Sequence, residues 1–220
     1  MTVILLAVGT VLSFSSCGRS KAKKEETGTV SATEKVILFN GKDLSNWAFC
    51  LKDPSADASK VFTVQNNVIH ITGNPFGYMR TREEYSDYAL HLEWRYPLEL
   101  SNSGIFIHTQ LPDTIWPKCI ETQLKAGNAG DFVCMGGSDM NERTDKSKRV
   151  VTKLAESAEK AVGEWNTMEI TCISDNIDVM VNGVLMNKAT GVTLKQGYIC
   201  LQSEGKDIEY RNVYITRLNK

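Results

Sequence analysis

The chain has 220 residues, a formal charge of −1, 42% hydrophobic residues and four tryptophans. That is material for one sizeable core, since a domain commonly takes roughly 100–200 residues. The near-neutral balance argues against nucleic acid, which calls for a concentrated basic surface, and from residue 35 onward no apolar run is long enough to span a bilayer.

The first 17 residues, MTVILLAVGTVLSFSSC, carry an apolar stretch from Val3 to Leu12, then small residues and a cysteine. This is the outline of a secretory signal, set apart from the fold. FSSC at 14–17 has the form of a bacterial lipobox, in which Cys17 takes the lipid and becomes the mature N-terminus. The one missing element is a Lys or Arg before the apolar run. Residues 18–34 are polar and charged without a hydrophobic period, as expected of a flexible tether. A single domain is expected over 35–220. The protein is therefore expected to be exported and held at the cell envelope, touching membrane through a lipid anchor only. The basic GRSKAKK after Cys17 favours the periplasmic side. Cys50, Cys119, Cys134, Cys172 and Cys200 form no C-x-x-C pair, so no zinc ribbon is indicated; they are expected to be mostly buried thiols, with at most one or two bridges.

Short β-type segments follow. VFTVQNNVIHITG (61–73) reads as a hairpin about Asn66-Asn67, residues that tolerate positive φ. YALHLEWRYP (88–97) alternates, with Tyr88, Leu90, Leu92, Trp94 and Tyr96 on one side. Residues 102–126 read as two strands joined by a turn. In the second, Ile120, Thr122 and Leu124 make one face and Glu121, Gln123 and Lys125 the other. Residues 128–148 read as a long irregular region. The stretch from Lys153 lacks an apolar stripe and reads as a strand end and a loop, with at most one helical turn. WNTMEITCISDNIDVMVNGVLM (165–186) gives two strands about Asp175-Asn176 and a tight turn at Asn182-Gly183. The last two strands part at Gly205-Lys206, the first placing Tyr198, Cys200, Gln202 and Glu204 on one face. Many short strands with regular turn signals predict an all-β sandwich or barrel.

LFNGKDLSNW (38–47), NSGIFI (102–107), IETQL (120–124), GEWNTMEI (163–170), VNG (181–183) and GYICLQSEGKDIEYRNVYI (197–215) occur in an order that resembles the 3-keto-disaccharide hydrolase family, over Val36 to Leu218. The resemblance implies a jelly-roll β-sandwich of the concanavalin A-like lectin/glucanase type. It also implies a saccharide cleft on the concave sheet and cleavage of glycosides oxidised at C3. A fold of this type hosts lectins as well as enzymes. Many members carry His-Gly after the LQ of the penultimate strand, where this chain has Ser203-Glu204-Gly205.

Carboxylates and amides on a strand face suit a sugar, which needs several planar donors and acceptors. The same alternation is also the ordinary mark of a sheet face left in water. Glu121, His108 and Glu204 are the candidate catalytic groups. Gln123, Lys125, Gln202, Arg211, Asn102 and Trp116 are the candidate substrate contacts. Arg211 either orients a carboxylate or sugar hydroxyl, or forms an ion pair with a residue such as Glu93. Trp116 either stacks on a sugar ring or anchors its loop. Asn102 and His108 are expected to share the side of Phe106.

Two mechanisms fit these residues. Direct hydrolysis would use Glu121 and Glu204 as a carboxylate pair. Elimination would use the acidity that a C3 ketone gives the C2 hydrogen, followed by addition of water. Elimination is favoured, with Glu121 or His108 as base and Lys125, Arg211 or a divalent metal at the enolate oxygen. No cofactor is certain, and no ligand spacing marks a metal site. The alternative is a non-catalytic glycan-binding lipoprotein.

Overall fold

The computed structural model describes residues 31–219; the expected signal segment, Cys17 and most of the expected tether lie outside them. In chain order the elements are β1 (Ser31–Ile37), β2 (Trp47–Leu51), α1 (Ala58–Val61), β3 (Phe62–Gln65), β4 (Val68–Ile71), β5 (Gly77–Thr81), β6 (Tyr88–Arg95) and β7 (Gly104–Thr109). They continue with β8 (Cys119–Gln123), β9 (Phe132–Met135), β10 (Val150–Val151), β11 (Asn166–Ile173), β12 (Asn176–Val181), β13 (Val184–Ala189), β14 (Tyr198–Ser203) and β15 (Ile208–Asn219).

Two antiparallel sheets result. One runs β13-β12-β11-β6-β15-β4-β3, with β1 paired to the far half of β15. The other runs β10-β9-β8-β7-β14-β5-β2. The jelly-roll sandwich expected from the sequence is the one observed.

Period-2 alternation drives the packing. Tyr88, Leu90, Leu92 and Trp94 of β6 are all 2% exposed or less and face Met79, Ile105, Ile107, Ile120 and Leu201 of the other sheet across one core. Burying such side chains contributes about 1.5–3 kcal/mol each relative to leaving them in water. The turns behave as their residues dictate: Asn66 and Asn67 take φ of 53° and 61°, and Asn182-Gly183 takes 50° and 81°, the left-handed values that twisted hairpins need.

Two boundaries differ from expectation. Residues 31–34, expected in the tether, form the first half of β1, because β15 is twelve residues long and leaves an edge for them to pair with. The region 128–148, expected to be irregular, contains β9. Its four residues FVCM are buried on both faces, so no alternation betrays the strand. The turn of helix at α1 is capped by Asp57, whose side chain accepts from Ser59 N. The stretch from Lys153 to Trp165 is a loop, as expected. All five cysteines among the described residues are unpaired, four of them buried.

Candidate active site

The outer face of the second sheet is recessed. Tyr78, Phe106, Cys119, Val133, Met135 and Cys200 point away from the main core yet are buried, and form a second apolar cluster with Cys50. Strand register places the polar residues on this floor. Phe106 pairs with Glu121 and Gly104 with Gln123. Extending the β14–β7 register from Leu201↔Ile105 sets Gln202 opposite Gly104 and Glu204 opposite Asn102. Glu121, Gln123, Gln202, Glu204 and Asn102 thus converge on one side of three adjacent strands.

Glu121 is the most perturbed group there. Its residue is 4% exposed, and among the described residues no protein group donates a hydrogen bond to its carboxyl. Burial first, and then the Glu204 charge, push its pKa up to about 8, with the Arg149 charge opposing. Its side chain lies flat across Gly104, where an added Cβ would stand 2.1 Å from Oε1. The glycine in NSGIFI is therefore the space that the carboxyl occupies.

Glu204 is half-buried, and burial raises its pKa as well. Hydrogen bonding from the Asn102 and Gln202 side chains and the charge of Lys125 counteract that rise. The pair is asymmetric: one carboxyl has no donors, while the other has two amides and a cation. In such a pair the environments push the two pKa values apart and separate an acid from a base. Apart from its approach to Glu204, the buried Gln202 amide meets no protein group in good hydrogen-bonding geometry. Its Nε2 turns towards Glu204, which leaves the carbonyl Oε1 for a ligand or water.

The remaining candidates divide. Gln123 is half-buried, and its Oε1 accepts from Leu124 N at 3.0 Å and Lys125 N at 2.9 Å, so its carbonyl caps its own strand end. Lys125 is exposed and close enough to influence Glu204. Trp116 stands at the rim, 51% exposed, its ring 4.8 Å from that of Phe76.

His108 is not on this face. It takes φ of 51°, and the β7–β14 ladder bulges beside it, which returns Thr109 to the outer face and turns the imidazole into the core. There Nδ1 lies 2.7 Å from the Leu194 carbonyl and the ring packs edge-on against Tyr88. Burial lowers its pKa against the Leu194 and Ser86 backbone groups. A neutral histidine bonded to a backbone carbonyl inside the sandwich is a packing residue. Simple alternation misplaces it because a bulge shifts the count by one.

Arg211 lies on the other sheet. Its Nε donates to Glu93 at 2.7 Å and its guanidinium sits 4.1 Å over the Trp165 ring, which Arg95 covers at 4.5 Å. It is the ion pair with Glu93 that was the alternative from sequence, and it does not reach the recessed face.

Three residues on that face escaped sequence reasoning. Asp113, on the 110–118 loop, accepts from Tyr78 Oη at 3.0 Å and from Arg80 Nε at 2.9 Å, which pins the loop over β5. Arg80 also lies 4.6 Å over the Tyr198 ring. Only the period-2 position of Tyr78 and Arg80 hinted at this, in a segment without turn signals on both sides.

As a metal site the floor is thin. Two carboxylates converge, and among the described residues no group of three His, Cys, Asp or Glu side chains is placed to hold an ion. With His108 turned into the core, the donor set does not fit a metal centre.

The sequence profile of the 3-keto-alpha-glucoside-1,2-lyase-like domain matches residues 34–216. The chain belongs to this family. No protein of curated function matches it. Among solved structures, a candidate glycosyl hydrolase from Parabacteroides distasonis is 17% identical, with a TM-score of 0.63 over 84% of this chain and 94% of that one. Porphyranase B from Zobellia galactanivorans gives 13%, 0.59, 87% and 94%, and the Bacillus licheniformis β-glucanase 11%, 0.56, 86% and 99%. At these identities the likeness is one of fold, the glucanase-type jelly roll.

Proposed function

We propose that this member of the lyase-like family is a carbohydrate-active enzyme that cleaves 3-keto-glycosides, with Glu121 and Glu204 as its acid and base. The observation that carries the proposal is the unequal carboxyl pair on a recessed sheet face. Family membership supports the substrate class, and the polar strand face with an open amide carbonyl at Gln202 supports a sugar.

At neutral pH Glu121 holds its proton and Glu204 is the group better able to ionise. The Glu204 carboxylate takes the C2 hydrogen, which the C3 ketone acidifies. The electron pair moves into the C1–C2 bond as the C1–O bond breaks, and Glu121 gives its proton to the departing oxygen. The products are the conjugated enone and the aglycone alcohol. Water then adds at C1, losing a proton to Glu121 while Glu204 returns one to C2, which completes a net hydrolysis. Lys125 is the cation best placed to steady negative charge near Glu204.

The test is turnover of a 3-keto-glucoside with a chromogenic aglycone in deuterated water. Elimination predicts aglycone release with deuterium at C2 of the product sugar, and loss of release in Glu121→Gln and Glu204→Gln. Release without deuterium, and with no rate difference between C2-protio and C2-deutero substrate, would replace elimination by direct displacement. Absence of turnover with retained sugar binding would favour a glycan-binding protein, which the exchange of His for Glu204 also fits. The lipobox-like FSSC at 14–17 supports placing the enzyme, exported, on a lipid anchor at the cell envelope.

A further inference from the structure

The recessed face has two unlike flanks. On the β8 side of the carboxyl pair the neighbours are polar: Gln123, Lys125 and Arg149. The β5 side ends in two aromatic rings. Extending the β14–β5 register from Gln202↔Tyr78 and Ser203↔Gly77 by one step sets Phe76 directly against Glu204, on the same face as Tyr78. The segment carrying Phe76 is held from both sides, since Lys52 N donates to the Phe76 carbonyl at 2.8 Å and Ser203 Oγ to the Pro75 carbonyl at 2.9 Å.

Trp116 meets Phe76 with ring centroids 4.8 Å apart and an interplanar angle of 58°. It comes from the 110–118 loop, which is closed by Gln110 N donating to the Lys118 carbonyl at 2.9 Å and fixed to the floor by Asp113. Trp116 is 51% exposed, whereas Trp47 and Trp94 are only 1% and 2% exposed. An open groove of about 830 Å³, walled by Pro54, Asn74, Phe76 and Lys206, continues beyond the rings. A large aromatic kept half in water, on a loop anchored at two other points, contributes little to the core. What it offers is an apolar plane beside a carboxylate, the arrangement that receives the C–H face of a pyranose.

The direction of the chemistry selects which sugar this is. Glu204, the proposed base, must lie against C2, and Phe76 is the neighbour of Glu204 on the side away from Glu121. The run O1, C1, C2, C3 therefore leads from Glu121 past Glu204 towards the rings. We infer that Phe76 and Trp116 form the platform for the oxidised sugar ring, while the aglycone leaves over the Gln123–Lys125 flank. This inference rests on the 3-keto-glycoside function proposed above.

The experiment compares wild type, Trp116→Ala, Trp116→Phe and Phe76→Ala on 3-keto-glucosides carrying a methyl, a nitrophenyl and a glucosyl aglycone. Stacking of this kind predicts that kcat/KM falls roughly ten-fold in the alanine variants, by the same factor for all three aglycones, with partial recovery in Trp116→Phe. A loss confined to the nitrophenyl and glucosyl substrates would move the platform to the aglycone and overturn the assignment. So would unchanged kinetics. Circular dichroism and thermal melts of each variant separate misfolding from a lost contact, and Trp116→Phe serves if an alanine variant does not fold. Should wild type turn over none of the three, the proposed reaction fails on its own. Methyl 3-keto-glucoside is then titrated against tryptophan emission: quenching that is present in wild type and absent from Trp116→Phe keeps the platform, and no difference between the two removes it.

Discussion

Replacing Glu121 by Gln keeps the shape of the side chain and removes its charge, which makes it the sharpest test of the site. The wild-type carboxyl has its pKa raised from the ordinary 4.5 to about 8 by burial and by Glu204. The sign follows from proton counting: between those values the folded state holds a proton that the unfolded chain has released, so stability falls as pH rises. The contribution is fully present below about pH 4.5, is lost progressively as pH approaches 8, and changes no further above that. From pH 5 to pH 9 the loss is about 4 kcal/mol at about 1.4 kcal/mol per pH unit. Glu121→Gln has no such loss, so its stability relative to wild type should rise by about that amount over the same range. Urea unfolding at pH 5, 7 and 9 reads this directly, because at about 1–3 kcal/mol per molar the midpoints should separate by more than about 1 M at pH 9. Activity should be abolished at every pH. A stability difference that is flat with pH would show that Glu121 ionises as an ordinary carboxylate, and the acid role assigned to it would fall.

The pH dependence of kcat/KM should be bell-shaped. Its alkaline limb near pH 8 reports Glu121, and its acid limb lies above the ordinary glutamate range because burial raises Glu204; a kcat/KM that stays level from pH 7 to pH 10 would refute that origin. Gly104→Ala should lower kcat/KM about 100-fold with the fold kept, since a Cβ 2.1 Å from Oε1 displaces the whole Glu121 side chain; circular dichroism with steady-state kinetics checks both halves. His108→Ala should cost about 2–4 kcal/mol by opening a cavity and leaving the Leu194 carbonyl unpaired. Its kcat at low temperature should match wild type, and a selective loss of kcat would return His108 to the reaction. Arg211→Met should lower stability by about 1 kcal/mol through the lost Glu93 pair and Trp165 contact, with kinetics unchanged.

What the sequence determined by itself is everything local. Period-2 burial marks which side of β6 and β11 meets the core, because alternation is a property of the extended chain and is independent of its neighbours; β8 and β14 are buried on both faces, and there only the alternation of residue types separates the polar side. Asn66-Asn67, Asn182-Gly183 and Gly205 marked their turns because positive φ is a single-residue preference. Glu121 on β8, and Gln202 with Glu204 on β14, were each legible as the polar side of their own strand for the same reason; that the two sides form one face came from the pairing of both strands with β7. Tertiary structure decided the rest, wherever the outcome depended on a partner distant in sequence. The bulge at His108 reversed one step of alternation, and nothing in HTQ announces it. Arg211 went to Glu93, 118 residues away, because β15 pairs with β6 rather than with the sheet that carries the carboxyl pair. Phe76 became the neighbour of Glu204 only through the β14–β5 ladder. The unequal titration of Glu121 and Glu204 also arises there, since desolvation and charge act through space and a strand pattern cannot state how much water each carboxyl keeps.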